Sequence, residues 1–353
     1  SWEKHISPAL TSKVTGTISS YSFGHTEKSE LSGSYTHDYM LNHNEVVAEF
    51  SWVPGLKHKV DFGANAILYR LDRGMVEPFG EASIWSPVNL GFEEALEGSL
   101  FVSDNIQVFP WLNLYAGLRY SLYSKLGPQT VMLYEEGQPK SIETISDSIT
   151  YESFEPITFH SGPEVRAAVN FKLGPNTSFK LSFNQMRQYL FMLSNTVTIS
   201  PTDQWKLSDY HINPQSSVQY TGGFFRVFPR TGISTSIELY YKYARDIVEY
   251  KDGVDFIRNP YTETLVLQGE QNAYGAEFMI QKSTGRLDGW ISYTLSRSEM
   301  LVEGTLEGEN INHGKPYPSN FDRPHVLNVV ANYDISRRFS ISSNVVYMSG
   351  RPI

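Results

Sequence analysis

Apolar and polar residues alternate with a period of two along most of this chain. Between Ser234 and Tyr243, one parity holds Thr235, Ile237, Leu239, Tyr241 and Tyr243, and the other holds Ser234, Ser236, Glu238, Tyr240 and Lys242. From Trp111 to Leu122 the apolar parity is Leu112, Leu114, Ala116, Leu118, Tyr120 and Leu122, against Asn113, Tyr115, Gly117, Arg119 and Ser121. Val60, Phe62, Ala64, Ala66 and Leu68 oppose Lys59, Asp61, Gly63 and Asn65; Phe179, Leu181 and Phe183 oppose Ser178, Lys180, Ser182 and Asn184. Leu327, Val329, Ala331 and Tyr333 oppose Asn328 and Asn332. Side chains on a β-strand point alternately to its two faces, so each segment predicts a strand with one greasy and one wet face.

The connections supply a second rhythm. Very short ones fall near Val53-Pro54-Gly55, Phe109-Pro110-Trp111, Gly174-Pro175-Asn176, Pro229-Arg230-Thr231-Gly232, Ser283-Thr284-Gly285 and Ile335-Ser336-Arg337. Long ones cover about 23–43, 70–92, 124–162, 191–214, 246–266 and 298–322. Short turns on one rim and long loops on the other describe an outer-membrane barrel with its turns in the periplasm and its loops outside. The predicted fold is all-β, a transmembrane antiparallel β-barrel wall of about 13 strands, many longer than the roughly 9–11 residues needed to cross a bilayer. The wall begins near a periplasmic turn at Ser7-Pro8-Ala9-Leu10 and ends on an upgoing strand from Phe339 to Tyr347. Asp104 breaks the pattern, falling in phase with Leu100, Val102, Ile106 and Val108. Either a bulge shifts the register there or the site lies beyond the hydrocarbon.

Composition narrows the picture. Only 40% of the 353 residues are hydrophobic and mean hydropathy is -0.32. No run of 18 apolar residues offers a transmembrane helix. Aromatics are high at 14%, as interface girdles require. A net charge of -9 argues against a nucleic-acid partner. With no cysteine, a disulfide, a CxxC metal knuckle and a thiol nucleophile are excluded. Ser1-Trp2-Glu3-Lys4 shows no signal peptide, and the chain is expected to begin mid-protein.

Particular residues then resemble a family. Gly269, Ala273-Tyr274-Gly275-Ala276-Glu277, Gly285 and Gly289-Trp290-Ile291-Ser292-Tyr293-Thr294-Leu295-Ser296 resemble TonB-dependent outer-membrane receptors of the Bacteroidetes type. So do Ile311-Asn312-His313-Gly314-Lys315-Pro316-Tyr317-Pro318, Phe321-Asp322-Arg323-Pro324-His325, Pro201-Thr202-Asp203-Gln204-Trp205 with Ile212-Asn213-Pro214-Gln215, Glu249-Tyr250-Lys251-Asp252-Gly253 and Tyr347-Met348-Ser349-Gly350-Arg351-Pro352. Gln271 stands where the family commonly has Gly, and Glu299 lies near where an Arg often follows. The resemblance runs from about Val46 to the end. It implies the central part of a 22-stranded barrel that an N-terminal plug fills, importing a scarce nutrient with energy delivered through TonB. Residues 1–353 are then expected to form a single partial β-barrel domain, with the plug and terminal strands outside it. The implied partners are outer-membrane lipid, the TonB complex through the plug, an unidentified nutrient and a surface lipoprotein lid, in the outer membrane of a Gram-negative bacterium. A passive porin and a structural barrel in a larger outer-membrane surface complex stay open as alternatives.

Candidate chemistry is sparse. Asp322 with His325 and His58 with Asp61 could pair as acid and base, but no nucleophile accompanies them, and rim hydrogen bonding is the favoured reading. No enzyme, cofactor or metal is expected; His37, Asp38 and His43 are too loosely spaced in the first long loop to favour a metal over solvation. Glu135, Glu136, Glu143 and Asp147 make the third long loop acidic, most simply a solvated loop. Trp205, Tyr210, His211, Tyr250, Tyr261 and Tyr317 are the ligand-contact candidates, because aromatic faces in outer loops offer large, rigid contact area. The competing reading places these rings in the interface girdle or in loop packing. Arg119, Lys180, Glu238, Lys242 and Glu277 are expected on the lumen face, where a plug would dock; a charge at the lipid midplane costs about 2–4 kcal/mol. Gly117, Gly275 and Gly289 are expected at close packing or bends.

Overall fold

The computed structural model describes every residue except 29–32, 82, 195–202, 252, 305 and 353. Its wall consists of β1 (Trp2–Ser7), β2 (Leu10–Glu27), β3 (Tyr35–Gly55), β4 (His58–Asp72), β5 (Phe92–Phe109), β6 (Leu112–Leu126) and β7 (Pro156–Gly174), continuing through β8 (Thr177–Gln188), β9 (Gln215–Phe228), β10 (Ile233–Tyr250), β11 (Val266–Lys282), β12 (Leu287–Leu301), β13 (His325–Ser336) and β14 (Phe339–Met348). Each pairs antiparallel with the next in chain order, and β1 and β14 each have one neighbour among the described residues. Three short loop strands, Met75–Pro78, Val88–Asn89 and Tyr317–Pro318, complete a 17-stranded sheet. Two further pairs stand apart in the loops: Gln129–Tyr134 with Ile145–Tyr151, and Leu190–Leu193 with Gln204–Leu207.

The register explains the two faces. Phe62, Val102, Leu118 and Val165 form one row across β4 to β7, and Leu181, Gly222, Leu239 and Ala276 another across β8 to β11. Their large side chains are exposed, a costly surface in water but the favoured one in lipid. Neighbouring rows of opposite parity carry Asn65, Ser99, Ser121 and Gly162, and Ser182, Thr221, Tyr240 and Gly275. Loop side chains pack onto this second parity, which identifies it as the inner face.

Gly275 and Gly289 show why glycine interrupts these strands. A Cβ on Gly275 would stand 2.7 Å from the Leu295 carbonyl oxygen and 2.9 Å from the Tyr240 hydroxyl. Gly289 has φ +144, and a Cβ there would meet the Val330 carbonyl oxygen at 2.0 Å.

Several boundaries differ from the sequence expectation. The turns expected at Val53–Gly55 and Ile335–Arg337 fall one or two residues later, at Leu56-Lys57 and Arg337-Arg338, because strand pairing continues past Pro54 and Ile335. The first long loop shrinks to 28–34, since β2 and β3 pair from Leu10 with Trp52 out to Glu27 with Tyr35. His37, Asp38 and His43 therefore lie on β3, not in a loop. Asp38 points to the face opposite His37 and His43, and those two sit six residues apart, about 20 Å along a strand. They cannot converge on an ion, and no metal-holding group occurs among the described residues. Asp104 sits in an unbroken register on the outward face and accepts a hydrogen bond from His58 Nδ1 at 2.8 Å. His58 opens β4 directly after the turn, so this polar pair lies at the rim.

A residue-level test follows from the two faces. Lys in place of Leu239 or Leu181 is expected to cost about 2–4 kcal/mol and to reduce the folded barrel recovered in outer membranes. Lys in place of Ser236 or Ser182 is expected to leave that yield near the parent level. Equal yields from the two sets, read by heat-modifiable gel migration, would contradict the assignment of faces.

Candidate functional site

The chemistry concentrates where the long loops meet the outer ends of β3 to β6. Tyr189, Leu190, Trp205 and Leu207, from the loop joining β8 to β9, pack on Leu41, Ile67, Tyr69, Leu71, Ala95 and Tyr123 of the inner wall. The Tyr123 and Tyr189 rings stack at 4.4 Å, and the Tyr123 hydroxyl donates to the Ser208 carbonyl at 2.7 Å. The far side of the same loop packs Phe191, Leu193 and Ile212 against Phe256 and Val266. Ile257 in turn joins Tyr35, Val76 and Leu90, while Arg258 lies 4.3 Å over the Trp85 ring. Three loops thus share one apolar cap.

A buried charge network runs through this cap. The Glu93 carboxylate lies 2.7 Å from Lys206 Nζ, 3.0 Å from Lys125 Nζ and 3.9 Å from Arg73 Nη1, and accepts the Leu207 backbone N–H at 3.0 Å. Lys206 also pairs with Asp209, whose other oxygen accepts the N–H groups of His211 and Ile212. Arg73 donates to the Pro260 carbonyl and to Gln204 Oε1, both at 3.1 Å, and Gln204 donates to the Phe256 carbonyl. All five charged side chains are buried. A charge taken out of water survives only with close opposite charge, and here each of the three cations has a carboxylate oxygen within 3.9 Å. Burial pushes the Asp209 carboxyl up, but Lys206 and Lys125 outweigh burial and the nearby Glu93, and hold it below the usual carboxylate range. Burial pulls the Lys206 ammonium down, yet Asp209 and Glu93 raise it above the ordinary lysine value.

The candidate ligand residues divide. Tyr210, His211 and Tyr261 line one cavity of about 240 Å³, together with Arg73, Asp209 and Glu263. His211 donates from Nε2 to the Met132 carbonyl at 2.8 Å, and the Tyr134 hydroxyl donates to Glu263 at 2.8 Å, so the loop at 127–155 closes one side. Trp205 is packed into the inner-wall cluster instead. Tyr250 lines a separate cavity of about 310 Å³, and its hydroxyl accepts from Asn320. Tyr317 packs against Ala244, Ile247 and Met300. Pro201, Thr202 and Asp252, part of the resemblance, lie outside the described residues. A further concavity, about 540 Å³, is a groove over Gly222 on the lipid face, flanked by Leu181 and Leu239, and its lining carries no charged group.

Arg119, Lys180, Glu238, Lys242 and Glu277 all lie on the parity of the inner face. Arg119 donates to Asn65 Oδ1 at 3.0 Å and lies 3.7 Å from Glu97. Lys180, Gly223, Glu238 and Glu277 occupy one row across β8 to β11, with Lys180 4.7 Å over the Phe225 ring. Lys242 stands four residues above Glu238 on β10. The two acid–base pairs considered from sequence are not formed. Asp322 accepts from Arg297 and from the Ser298 N–H, His325 bonds the Tyr293 hydroxyl, and His58 bonds Asp104. The charge network around Glu93 was not read from sequence. Its members are far apart in the chain, Glu93 and Lys206 by 113 residues and Arg73 and Gln204 by 131, and form no motif.

An antiparallel wall with a lipid-facing apolar surface, short turns on one rim and packed long loops on the other defines a large outer-membrane β-barrel. A family model described as "TonB dependent receptor-like, beta-barrel" matches residues 6–351. The chain belongs to this family of Gram-negative outer-membrane transporters and receptors. Its fold is similar to the ferric-catecholate import receptor Fiu of E. coli K12, at 12% identity and TM-score 0.61, covering 98% of this chain and 52% of that one. It is similar to the ferric yersiniabactin uptake receptor FyuA of Yersinia pestis, at 10% identity and TM-score 0.62, covering 97% and 47%. The copper transporter OprC aligns at 11% identity and TM-score 0.60, covering 97% and 58%. The chain therefore spans about half the length of these structures. No curated protein matches it.

The charge network sets a pH dependence. A carboxyl held below its unfolded value of 3.8 contributes stability that is complete above that value and lost as pH falls through the lower folded one. The raised Lys206 contributes fully below 10.5 and is lost only above it. Burial pulls the third cation, Lys125, down to about 8, so amide exchange of residues 203–209, corrected for intrinsic rates, is expected to show constant protection from about pH 5 to 7 and progressive loss below about 4. Loss of protection between about pH 5 and 7 would rule out the network as the support.

Proposed function

We propose that this chain is the barrel portion of an active outer-membrane importer, binding a scarce nutrient at its outer loops and passing it inward with energy delivered through TonB. The observation that carries this reading is the family match over residues 6–351. The similar solved structures are receptors and transporters for ferric siderophores and copper, so ferric catecholates and copper are the first probes to try. Because those chains are about twice as long, a plug, the remaining strands and the contact with TonB are assigned to the longer protein. The inner row of Lys180, Glu238 and Glu277, with Lys242 above it and Arg119 across the wall, is proposed as the surface where that plug docks. Glu238 and Glu277 lie directly opposite one another, a like-charge pair that a cationic plug residue would relieve.

Tyr210, His211 and Tyr261 are proposed as the ligand contacts, since they share a cavity at the outer cap. Trp205, Tyr250 and Tyr317 are assigned to cap packing. A closer affinity to the Bacteroidetes branch is proposed from the Gly289–Ser296 and Ile311–Pro318 segments alone, and a surface lipoprotein covering the loops is proposed on the same footing.

The test is uptake of radiolabelled iron, supplied as a ferric catecholate, by cells carrying the full-length protein, with labelled copper as the parallel probe. Energised uptake of either that stops when the proton gradient is collapsed supports the importer. Tyr210→Ala and Tyr261→Ala are expected to weaken binding about tenfold each at unchanged surface abundance. Entry of small solutes independent of TonB and of the gradient would favour a passive porin instead.

A further inference from the structure

The loop between β8 and β9 does not stand over its own strands. Its two described arms, 189–194 and 203–212, reach β3 to β6 on the inner wall, and are joined to each other by the Ser208 N–H to the Tyr189 carbonyl and by the short strand pair from Leu190 with Leu207 to Leu193 with Gln204. What holds them to the wall is mixed. One part is apolar packing of Leu207 and Tyr189 on Leu71, Ala95 and Tyr123. The other is polar and converges on one wall residue. Glu93 takes Lys206 and the Leu207 N–H from the arm, while Lys125 of β6 and Arg73 reach it from the wall and the neighbouring loop.

This network is asymmetric. Three buried cations share two carboxylates, Glu93 and Asp209, and Asp209 itself rides on the arm. Glu93 is the only carboxylate among the described residues that bonds both arm and wall cations. Removing it leaves Lys125 without its anion, and Lys206 with only a partner that moves with it. A buried charge left unmatched either gives up its proton or moves to water, and the arm carrying Lys206 and Asp209 can leave as an ion pair. The arm also builds one side of the cavity described above, through Asp209, Tyr210 and His211.

We propose that residues 189–194 and 203–212 form a releasable strap, latched to the inner wall at Glu93, whose docking and the integrity of the Tyr210–His211–Tyr261 cavity are one coupled equilibrium. A molecule bound in that cavity holds the strap down, and a released strap dismantles the cavity and uncovers the inner faces of β3 to β6. The linkage is reciprocal: whatever strengthens one strengthens the other by the same factor. The importer reading supplies the identity of that molecule; the latch itself stands apart from it.

The strap can be watched with one thiol. The chain has no cysteine, and Ser208 is fully buried with a hydroxyl that bonds nothing in the structure, so Ser208→Cys disturbs little. The full-length protein carrying Ser208→Cys is treated on intact cells with a membrane-impermeant maleimide, with exposed Ser148→Cys as the control for surface display. Ser208→Cys is expected to be protected in the parent and to react at least about tenfold faster with Glu93→Gln, because modification follows the population of the open form. Lys206→Gln, altered on the strap and not in the wall, is expected to accelerate it several-fold; it decides the matter where Glu93→Gln fails to reach the surface. Ser208→Cys that reacts in the parent as fast as Ser148→Cys, or stays equally protected in both variants, overturns the latch. Neither result depends on uptake, so a failure of the importer reading and a failure of the latch are distinguishable.

Discussion

No water is available inside a bilayer to satisfy a peptide group, and every other feature of this chain follows from that constraint. Each backbone N–H and C=O at membrane depth must find a partner in the next strand. The ladders from β2 through β14 do this without a gap, with register shifts confined to turns and outer ends: between Lys172 and Gly174, Trp52 and Gly55, Gln107 and Phe109, Asp334 and Ser336, Pro156 and Thr158, and Arg245 and Ile247. An unbroken ladder in turn freezes side-chain parity. Once Phe62 faces lipid, Val102, Leu118 and Val165 must face it too, and Asp104 can be tolerated on that face only where the strand has left the hydrocarbon and His58 is in reach.

Frozen parity also explains what was legible in the sequence and what was not. Alternation is a local property, so Ser234 to Tyr243 and Trp111 to Leu122 could be divided between faces without knowing their neighbours. Strand ends are set by pairing with a partner, so they were not. The sequence places His37 and Asp38 in the first long connection, whereas β2 keeps pairing there through His25 and Gly24. Trp205, between polar flanks in a long outer loop, reads as a ligand contact because an aromatic face there offers large contact area. Those flanks, Gln204 and Lys206, are polar for an internal reason: they bond Arg73 and Glu93, while Trp205 itself joins the wall cluster. No local pattern could report this, since Arg73 and Gln204 are 131 residues apart.

Outside the hydrocarbon the constraint changes character. Loops regain water, and long loops ordinarily solvate their own backbone and charges. Here they do the reverse, burying Glu93, Lys125, Lys206, Asp209 and Arg73 beneath Tyr123, Tyr189 and Leu207. Burying five charges is a poor way to gain stability, since the desolvation cost of each roughly cancels what pairing returns. Apolar residues of similar size would hold the loops as well or better. What ion pairs supply and apolar packing does not is a defined geometry: Lys206 meets its wall partner at Glu93.

That distinction bears on why the anchoring anion sits on a wall strand. A carboxylate on a loop would travel with its partner and fix nothing. Glu93, the second residue of β5, is paired with Leu71 of β4, and the ladder to β6 begins at the next residue, Glu94 with Leu126. It is therefore as rigid as the barrel while facing the loops. The rigidity that the bilayer demands of the strands is thus lent, at their outer ends, to a loop that has no such demand on it. The cavity lined by Tyr210, His211 and Tyr261 inherits its shape from that loan, and a wall built only to satisfy peptide groups in lipid comes to position aromatic side chains well above it.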